Sequence, residues 1–433
     1  MSRKHRMAVT AAVAALTVLG ATACRGASPS ASSSPKASGE PSVSLASAEV
    51  KGMKVGLVIS SAGAGADVRD LASGAYVAAF RLNGATAGHD HVILVVADDQ
   101  GTPDGATAAM HSLADQGVVG VVYGSTGEQV LAGVATAAEL GLPVILPYAD
   151  DPRVTQLGAT SFLAAPTIAQ AAAKLADHIK DAHFTKVASV HQAGSYGDAG
   201  ASALASNGVT VAIDKAFTPG DALDAMAKAV VNAKPDAVVV WAEGQPAVAV
   251  ADALSAAGST AVMLFGDRAA VPAFGQGVAR ALAPSVGDGA LSAGEWAGPD
   301  TPTAAVDAFY LARDRAVSVG NVSADLSLAD FRSHDAVLAL VAAAKSGTGG
   351  GSVTDALRAV KSAGVSGSTG VPLDFSSTSV VSDDNVSLLS YSTVDDGSGH
   401  YPPVANNGGH WLAVAGTYTP PVQLKGIDNP YGG

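Results

Sequence analysis

Residues 92–147 read VILVVADDQGTPDGATAAMHSLADQGVVGVVYGSTGEQVLAGVATAAELGLPVILP. Three apolar runs, at 92–97, 118–123 and 143–147, are rich in Val, Ile and Leu, and none alternates with polar residues. Strands of that kind are buried on both faces, as in parallel sheets. Between them, 103–116 and 128–140 carry small and apolar residues at helical spacing. Upstream, 55–60 reads as another buried strand. Residues 67–83 form a helix pattern through Val68, Leu71, Ala75, Val77, Ala78 and Leu82. Four strands with three helical crossovers make one doubly wound α/β lobe.

Beyond Pro166 the cycle repeats, with helices expected over 167–179, 199–205, 222–231 and 246–257 and strands over 186–190, 209–216, 236–241 and 261–265. The sequence therefore encodes two doubly wound parallel-sheet lobes in tandem. Such a pair places a cleft at the facing carboxyl ends of its strands, where open parallel sheets take their ligands. After Leu291 the pattern turns helical, at 303–319, 331–345 and 353–360, followed by a strand-like 371–375. The tail from Gly397 has no readable period.

The chain has 433 residues, enough for two or three domains, with 25 Lys+Arg against 38 Asp+Glu and a net charge of −13. This acidic balance opposes the phosphate neutralisation that nucleic-acid binding requires. One cysteine excludes an internal disulfide framework and a cysteine-rich zinc site.

That cysteine belongs to the N-terminal segment. Arg3, Lys4, His5 and Arg6 precede an apolar stretch at 7–20, then Ala21, Thr22, Ala23 and Cys24. Basic, apolar and small-residue zones in this order make an export signal over 1–23, and the apolar part is too short to span a bilayer. A lone Cys after the cleavage pattern resembles a bacterial lipoprotein signal, with Cys24 as the lipidated residue, although Ala21 stands where such signals usually carry Leu. Without 1–23 the charge becomes −16, from 22 basic and 38 acidic residues. Residues 24–50 read as the lipid anchor and a Ser/Pro-rich tether, with nine serines in 25–48 and a coil reach of roughly 25–30 Å. The expected location is the outer face of the cell membrane, or secretion if Cys24 is unmodified.

Over roughly 51–391 the sequence resembles the extracytoplasmic solute-binding proteins of the leucine/isoleucine/valine-binding type (periplasmic binding protein type 1), which serve ATP-driven ABC importers. The resemblance is carried in order by Lys54-Val55-Gly56-Leu57, Asp98-Asp99, Gly124-Ser125-Thr126 and Gly141-Leu142-Pro143-Val144-Ile145. It continues through Ser195-Tyr196-Gly197, Lys234-Pro235-Asp236-Ala237-Val238, Gly266-Asp267 and His334-Asp335-Ala336-Val337. It implies a Venus-flytrap fold with three hinge crossings. Lobe 1 is expected at 51–163 plus 297–363 and lobe 2 at 164–296 plus 371–395, with 396–433 unplaced. A small polar ligand, an amino acid or a related compound, would bridge the lobes and stabilise a closed form that permease subunits recognise. Neither catalysis, a cofactor nor a metal is implied, and a monomer is expected.

The candidate contacts follow from what a small zwitterion needs. Ser125 and Thr126 lie in a Gly-flanked turn before a helix, where hydroxyls and free N–H groups can hold a carboxylate, or where either could simply cap the helix. Tyr148, Ala149 and Asp150 follow the fourth strand. An inward Asp150 would repel a ligand carboxylate by about 4 kcal/mol at 4 Å with an effective dielectric near 20. Tyr196 matches a family tyrosine lining the second lobe. Trp241 and Glu243 end a strand where relatives place aromatic residues. Either Asp267 or Arg268 occupies the position at which relatives hold the ligand ammonium, and acid and base there select opposite ligands. Ser60, Ser61 and Gly63 are further contacts in the first loop.

Other readings compete. Ala193-Gly194-Ser195-Tyr196-Gly197 approaches the G-x-S-x-G nucleophile elbow, and Asp267 and His334 follow in the order of a secreted serine hydrolase. The oxyanion segment and first glycine of such an enzyme are missing. A sensory module feeding a membrane receptor would share the two-lobed fold. Gly63-x-Gly65 lacks the third glycine of a dinucleotide site. His89-Asp90-His91 reads as a polar turn rather than a metal site, and Asp98-Asp99 as caps of the following helix rather than cleft carboxylates.

Overall fold

A computed structural model describes residues 52–62, 73–85, 92–149, 151–242, 244–269, 290–295, 309, 312–313, 316, 328–347, 352–365, 367–368, 373–381, 383, 386–392 and 410–413. The N-terminal signal, Cys24 and tether, the Gly63-x-Gly65 and His89-Asp90-His91 segments, Asp150, Glu243 and most of the expected 303–319 helix lie outside them.

The first sheet contains β1 (Met53–Ile59), β2 (Val92–Asp98), β3 (Val121–Tyr123), β4 (Val144–Leu146) and β5 (Ser161–Leu163), all parallel, in the order β2-β1-β3-β4-β5. Its helices are α1 (Ser73–Ala85), α2 (Pro103–Asp115) and α3 (Glu128–Glu139). Strand side chains alternate between faces. Val55, Leu57, Val122 and Ile145 enter the core beside α1, and Val58, Val121, Tyr123, Val144 and Leu146 the core beneath α2 and α3. The sequence signalled four strands here. The fifth, β5, spans three residues beginning with Ser161, too short and too polar to be seen as an apolar run.

The second sheet holds β6 (Val187–Gln192), β7 (Val211–Phe217), β8 (Ala237–Trp241), β9 (Val262–Phe265), β10 (Ala290–Glu295), β11 (Val386–Ser392) and β12 (His410–Ala413), in the order β12-β11-β10-β9-β8-β6-β7. Strands β7-β6-β8-β9-β10 are parallel and repeat the order of the first sheet. β11 and β12 add on antiparallel. The tail left unplaced by the sequence thus supplies an edge strand. Around this sheet run α4 (Ile168–Asp181), α5 (Ser195–Ser206), α6 (Asp224–Asn232) and α7 (Gly244–Ala256). α4 begins with a capping box in which Thr167 and Gln170 satisfy each other's backbone N–H groups.

α8 (Leu328–Ser346) and α9 (Val353–Arg358) return to the first sheet, where Val337, Leu340 and Leu357 join the core of β1 and α1. Among the described residues the chain therefore crosses between the sheets three times: from β5 into α4, from β10 to α8, and from 381 into β11. Two crossings run side by side. Leu163 N–H donates to Thr378 O at 2.7 Å and Val380 N–H to Leu163 O at 2.8 Å. Residues 373–375 are not a strand. Leu373, Phe375 and Val380 pack with the first sheet, Phe375 edge-on to Phe162, rather than with the second lobe as the boundary at 371 expected. Among the described residues, no helix is long and apolar enough to cross a membrane.

Candidate functional site

In a sheet ordered 2-1-3-4-5, the crossovers leave its first and third strands toward opposite faces, so a crevice opens at their carboxyl ends. Both sheets present that crevice to one cleft of ≈ 330 Å³. The first sheet contributes Ser60, Ala62, Gly101, Ser125, Thr126, Gly127 and Gln129, and the second Gln192, Ala193, Gly194, Ser195, Tyr196, Gly197 and Arg268.

Each side offers a helix start without a side-chain cap. The N-cap of α3 is Gly127 at φ 108°, and that of α5 is Gly194 at φ 130°, conformations that favour glycine. Neither cap makes a side-chain hydrogen bond, and in α3 the Val130 N–H turns back to the Gly127 carbonyl at 3.1 Å. Ser125 and Thr126 are consequently not caps. Ser125 is buried, and its Oγ accepts from Gln129 Nε2 at 3.2 Å, which leaves its hydroxyl proton for another acceptor. At Gly197 a Cβ would meet the Gln192 carbonyl, so this position allows α5 to start hard against the end of β6.

Asp98 and Asp99 neither cap α2 nor face the cleft. Thr102 is the cap, accepting from Gly105 N at 3.1 Å. Asp98 accepts from Ser61 N at 2.9 Å and Ser61 Oγ at 2.5 Å, and the Ser61 hydroxyl chiefly holds its carboxyl below the usual range. Ser61 is thereby turned from the cleft, while Ser60 lines it. Buried Asp99 accepts from Gly101 N and Tyr123 Oη, at 2.9 and 3.1 Å. Burial, with the Asp99 charge second, pushes the Tyr123 phenol far up.

On the second side, Tyr196 organises the site. Its hydroxyl donates to Asp267 Oδ1 at 3.1 Å and accepts from Arg268 N–H at 3.2 Å. The Arg268 guanidinium lies over its ring at 4.3 Å. Tyr148, from beyond β4, donates its hydroxyl to Arg268 O at 3.3 Å and so joins the two sides. Of the two neighbours Asp267 and Arg268, Arg268 lines the cleft and Asp267 is not among its lining residues. Successive residues of the 3-10 turn at 267–269 point in different directions, which separates these neighbours.

Three expected contacts are corrected. Trp241 is wholly buried in the core with α4 and α5, because in β8 it shares a face with Ala237 and Val239. Ala149 is a core residue beneath α2 and α3. Tyr148 does not line the cleft but holds Arg268. Gln129 and Gln192 were missed as lining residues. Gln192 ends β6 at the crevice, a signal available from strand position alone.

The hydrolase triad is not assembled. Ser195 lines the cleft, but His334 is sealed in the first lobe, with Nε2 2.9 Å from Arg81 Nη1 and Nδ1 2.8 Å from Asp335 Oδ1. Burial above all holds its imidazole below the ordinary value. Asp267 meets Tyr196 instead. Among the described residues, no group of three His, Cys, Asp or Glu could hold a metal ion.

Two doubly wound lobes, three crossings and a cleft built from paired helix starts define a type 1 binding-protein fold. The family model for periplasmic binding proteins matches residues 52–375, and the chain belongs to that family. Among solved structures, it resembles the branched-chain amino acid transporter substrate-binding protein LivJ of Streptococcus pneumoniae in complex with isoleucine, with TM-score 0.65 and 19% identity over 84% of this chain and 100% of that one. It also resembles the leucine-binding protein LivK of Thermotoga maritima, with TM-score 0.63 and 18% identity over 80% and 96%. A type 1 periplasmic binding protein from Bordetella pertussis gives 0.65 and 18% over 84% and 100%. No curated protein matches the sequence.

Proposed function

We propose that this protein is an extracytoplasmic receptor that captures a small polar solute, an amino acid or related compound, between its lobes and delivers it to an ABC importer. The observation that carries this reading is the cleft itself, where both sheets converge with uncapped helix starts and no assembled catalytic set is present among the described residues. Ser125, Thr126, Tyr196 and Arg268 form the ligand-binding set, with Asp150 and Glu243 as further contacts. The mature chain is held at the outer membrane face through a lipidated Cys24 and acts as a monomer.

Two experiments test this. Equilibrium dialysis of the full chain against amino acids, small carboxylates, amides, polyamines and sugars is expected to retain one chemical class, and retention of none would refute capture. Membrane fractionation is expected to find the wild type with the membrane and Cys24→Ala released. Equal partitioning would refute the anchor.

A further inference from the structure

The fourth strands of the two parallel orders, β4 and β9, occupy matching places in their sheets. Their carboxyl ends meet beside the crevice that the first and third strands open. From the first lobe comes Tyr148, just beyond β4, whose hydroxyl donates to Arg268 O at 3.3 Å. Asp151 follows it and caps the 3-10 turn at 152–156. From the second lobe comes Arg268, in the turn after β9.

Arg268 is fixed to its own lobe before it meets the other. It is buried, its guanidinium lies over the Tyr196 ring at 4.3 Å, and its N–H donates to the Tyr196 hydroxyl. The Asp151 carboxyl is under the influence of two cations. Burial works against its charge, yet the Arg153 hydrogen bonds, then the charges of Arg153 and Arg268, hold it below the ordinary value. Tyr148 and Asp151 are not among the residues that line the cleft. Moving the lobes apart would break the Tyr148 bond and carry Arg268 away from Asp151, and neither loss involves a solute.

We propose that Tyr148 and Asp151 of the first lobe and Arg268 of the second form a latch that holds the lobes together before any solute arrives. The ligand-free chain is then closed for part of the time, and a solute has that much less of the closure to drive. The inference goes beyond the receptor reading. Its test contains no solute, so the two fail separately.

The test is double electron–electron resonance on the full chain carrying Cys24→Ala, with spin labels at Asp104→Cys in α2 and Thr218→Cys after β7, exposed positions on opposite lobes. Without solute, this background is expected to show a population at the separation of this structure and a second, longer one. Tyr148→Phe and Asp151→Asn should each raise the ratio of long to short by about 2- to 5-fold, the scale of one neutral hydrogen bond or one partly exposed charge pair, and the double variant by more than either. Asn keeps the oxygen that caps the turn at Arg153 N–H. Arg153→Gln is the control. It frees Asp151 from its own-lobe partner without touching Arg268, and should leave the ratio unchanged or lower it. Melting and circular dichroism establish that every variant folds. If the background lacks the short population, or if the folded double variant keeps its distribution, the latch is overturned. Opening by Arg153→Gln as large as that by Asp151→Asn would overturn it too, since the effect would then run through Arg153.

Discussion

Tyr196→Phe removes one oxygen and keeps the ring, so the edge-on contact with Trp241 and the surface beneath Arg268 survive. What it deletes is a donor to the Asp267 carboxylate and an acceptor for the Arg268 N–H, both on buried residues. A hydrogen bond to a charged group contributes about 1.5–3 kcal/mol and a neutral one about 0.5–1.5 kcal/mol. The expected loss is therefore about 2–4 kcal/mol. With a urea slope near 3 kcal/mol/M, the midpoint falls by about 1 M. The assay is equilibrium urea unfolding of the ligand-free full chain by far-UV circular dichroism. Tyr148→Phe is the control, since it deletes one 3.3 Å bond on a half-buried residue and should cost less than about 1 kcal/mol. If Tyr196→Phe lies within about 0.5 kcal/mol of wild type, Tyr196 is not the organiser of this side of the cleft.

Three further outcomes are expected. A Cβ at Gly200 would collide with the buried Trp241 indole, so Gly200→Ala should lose about 1–3 kcal/mol in urea unfolding, whereas Gly208→Ala, with open space but φ 81°, should lose only its backbone strain of about 1–2 kcal/mol and leave Trp241 fluorescence unchanged. Asp374 is held at a pKa of about 2, chiefly by Lys361 at 2.7 Å and then by Ser376. Its folded value lies below the ordinary 3.8, so its contribution is complete above that pH and is lost as pH falls toward 2; Lys361→Gln should flatten this acid limb by no more than about 1 kcal/mol, because the pair is largely exposed. Lys234 follows the end of α6 at φ 50°, where glycine is preferred, so Lys234→Gly should raise the urea midpoint by an amount worth about 0.5 kcal/mol.

The parts of the fold legible in the sequence were those whose burial is two-sided. In β8, Ala237, Val238, Val239 and Val240 are all fully buried, and a run of that kind admits no polar alternation and therefore announces itself. β5 is too short to do so, and β10, β11 and β12 come together from distant parts of the chain, which local pattern does not encode. At the site, strand ends and Gly-rich turns pointed to Ser125, Thr126 and Tyr196, which line the cleft. Trp241 was misread although its parity with Ala237 and Val239 placed it inward. The orientation of Asp267 and Arg268 depends on a single turn of 3-10 helix and on a tyrosine about seventy residues earlier, which spacing cannot supply.

The central claim is that a solute binds in the cleft between the lobes. Its most direct test is thermal melting of the full chain and of Thr126→Trp, whose indole would fill the cleft, across a panel of anionic, zwitterionic, cationic and neutral solutes. At 100 times its dissociation constant a true ligand adds about 2.7 kcal/mol of stability. The account predicts that one class raises the melting temperature of the wild type and leaves that of Thr126→Trp unmoved. No shift with any class, or the same shift in both proteins, would contradict it.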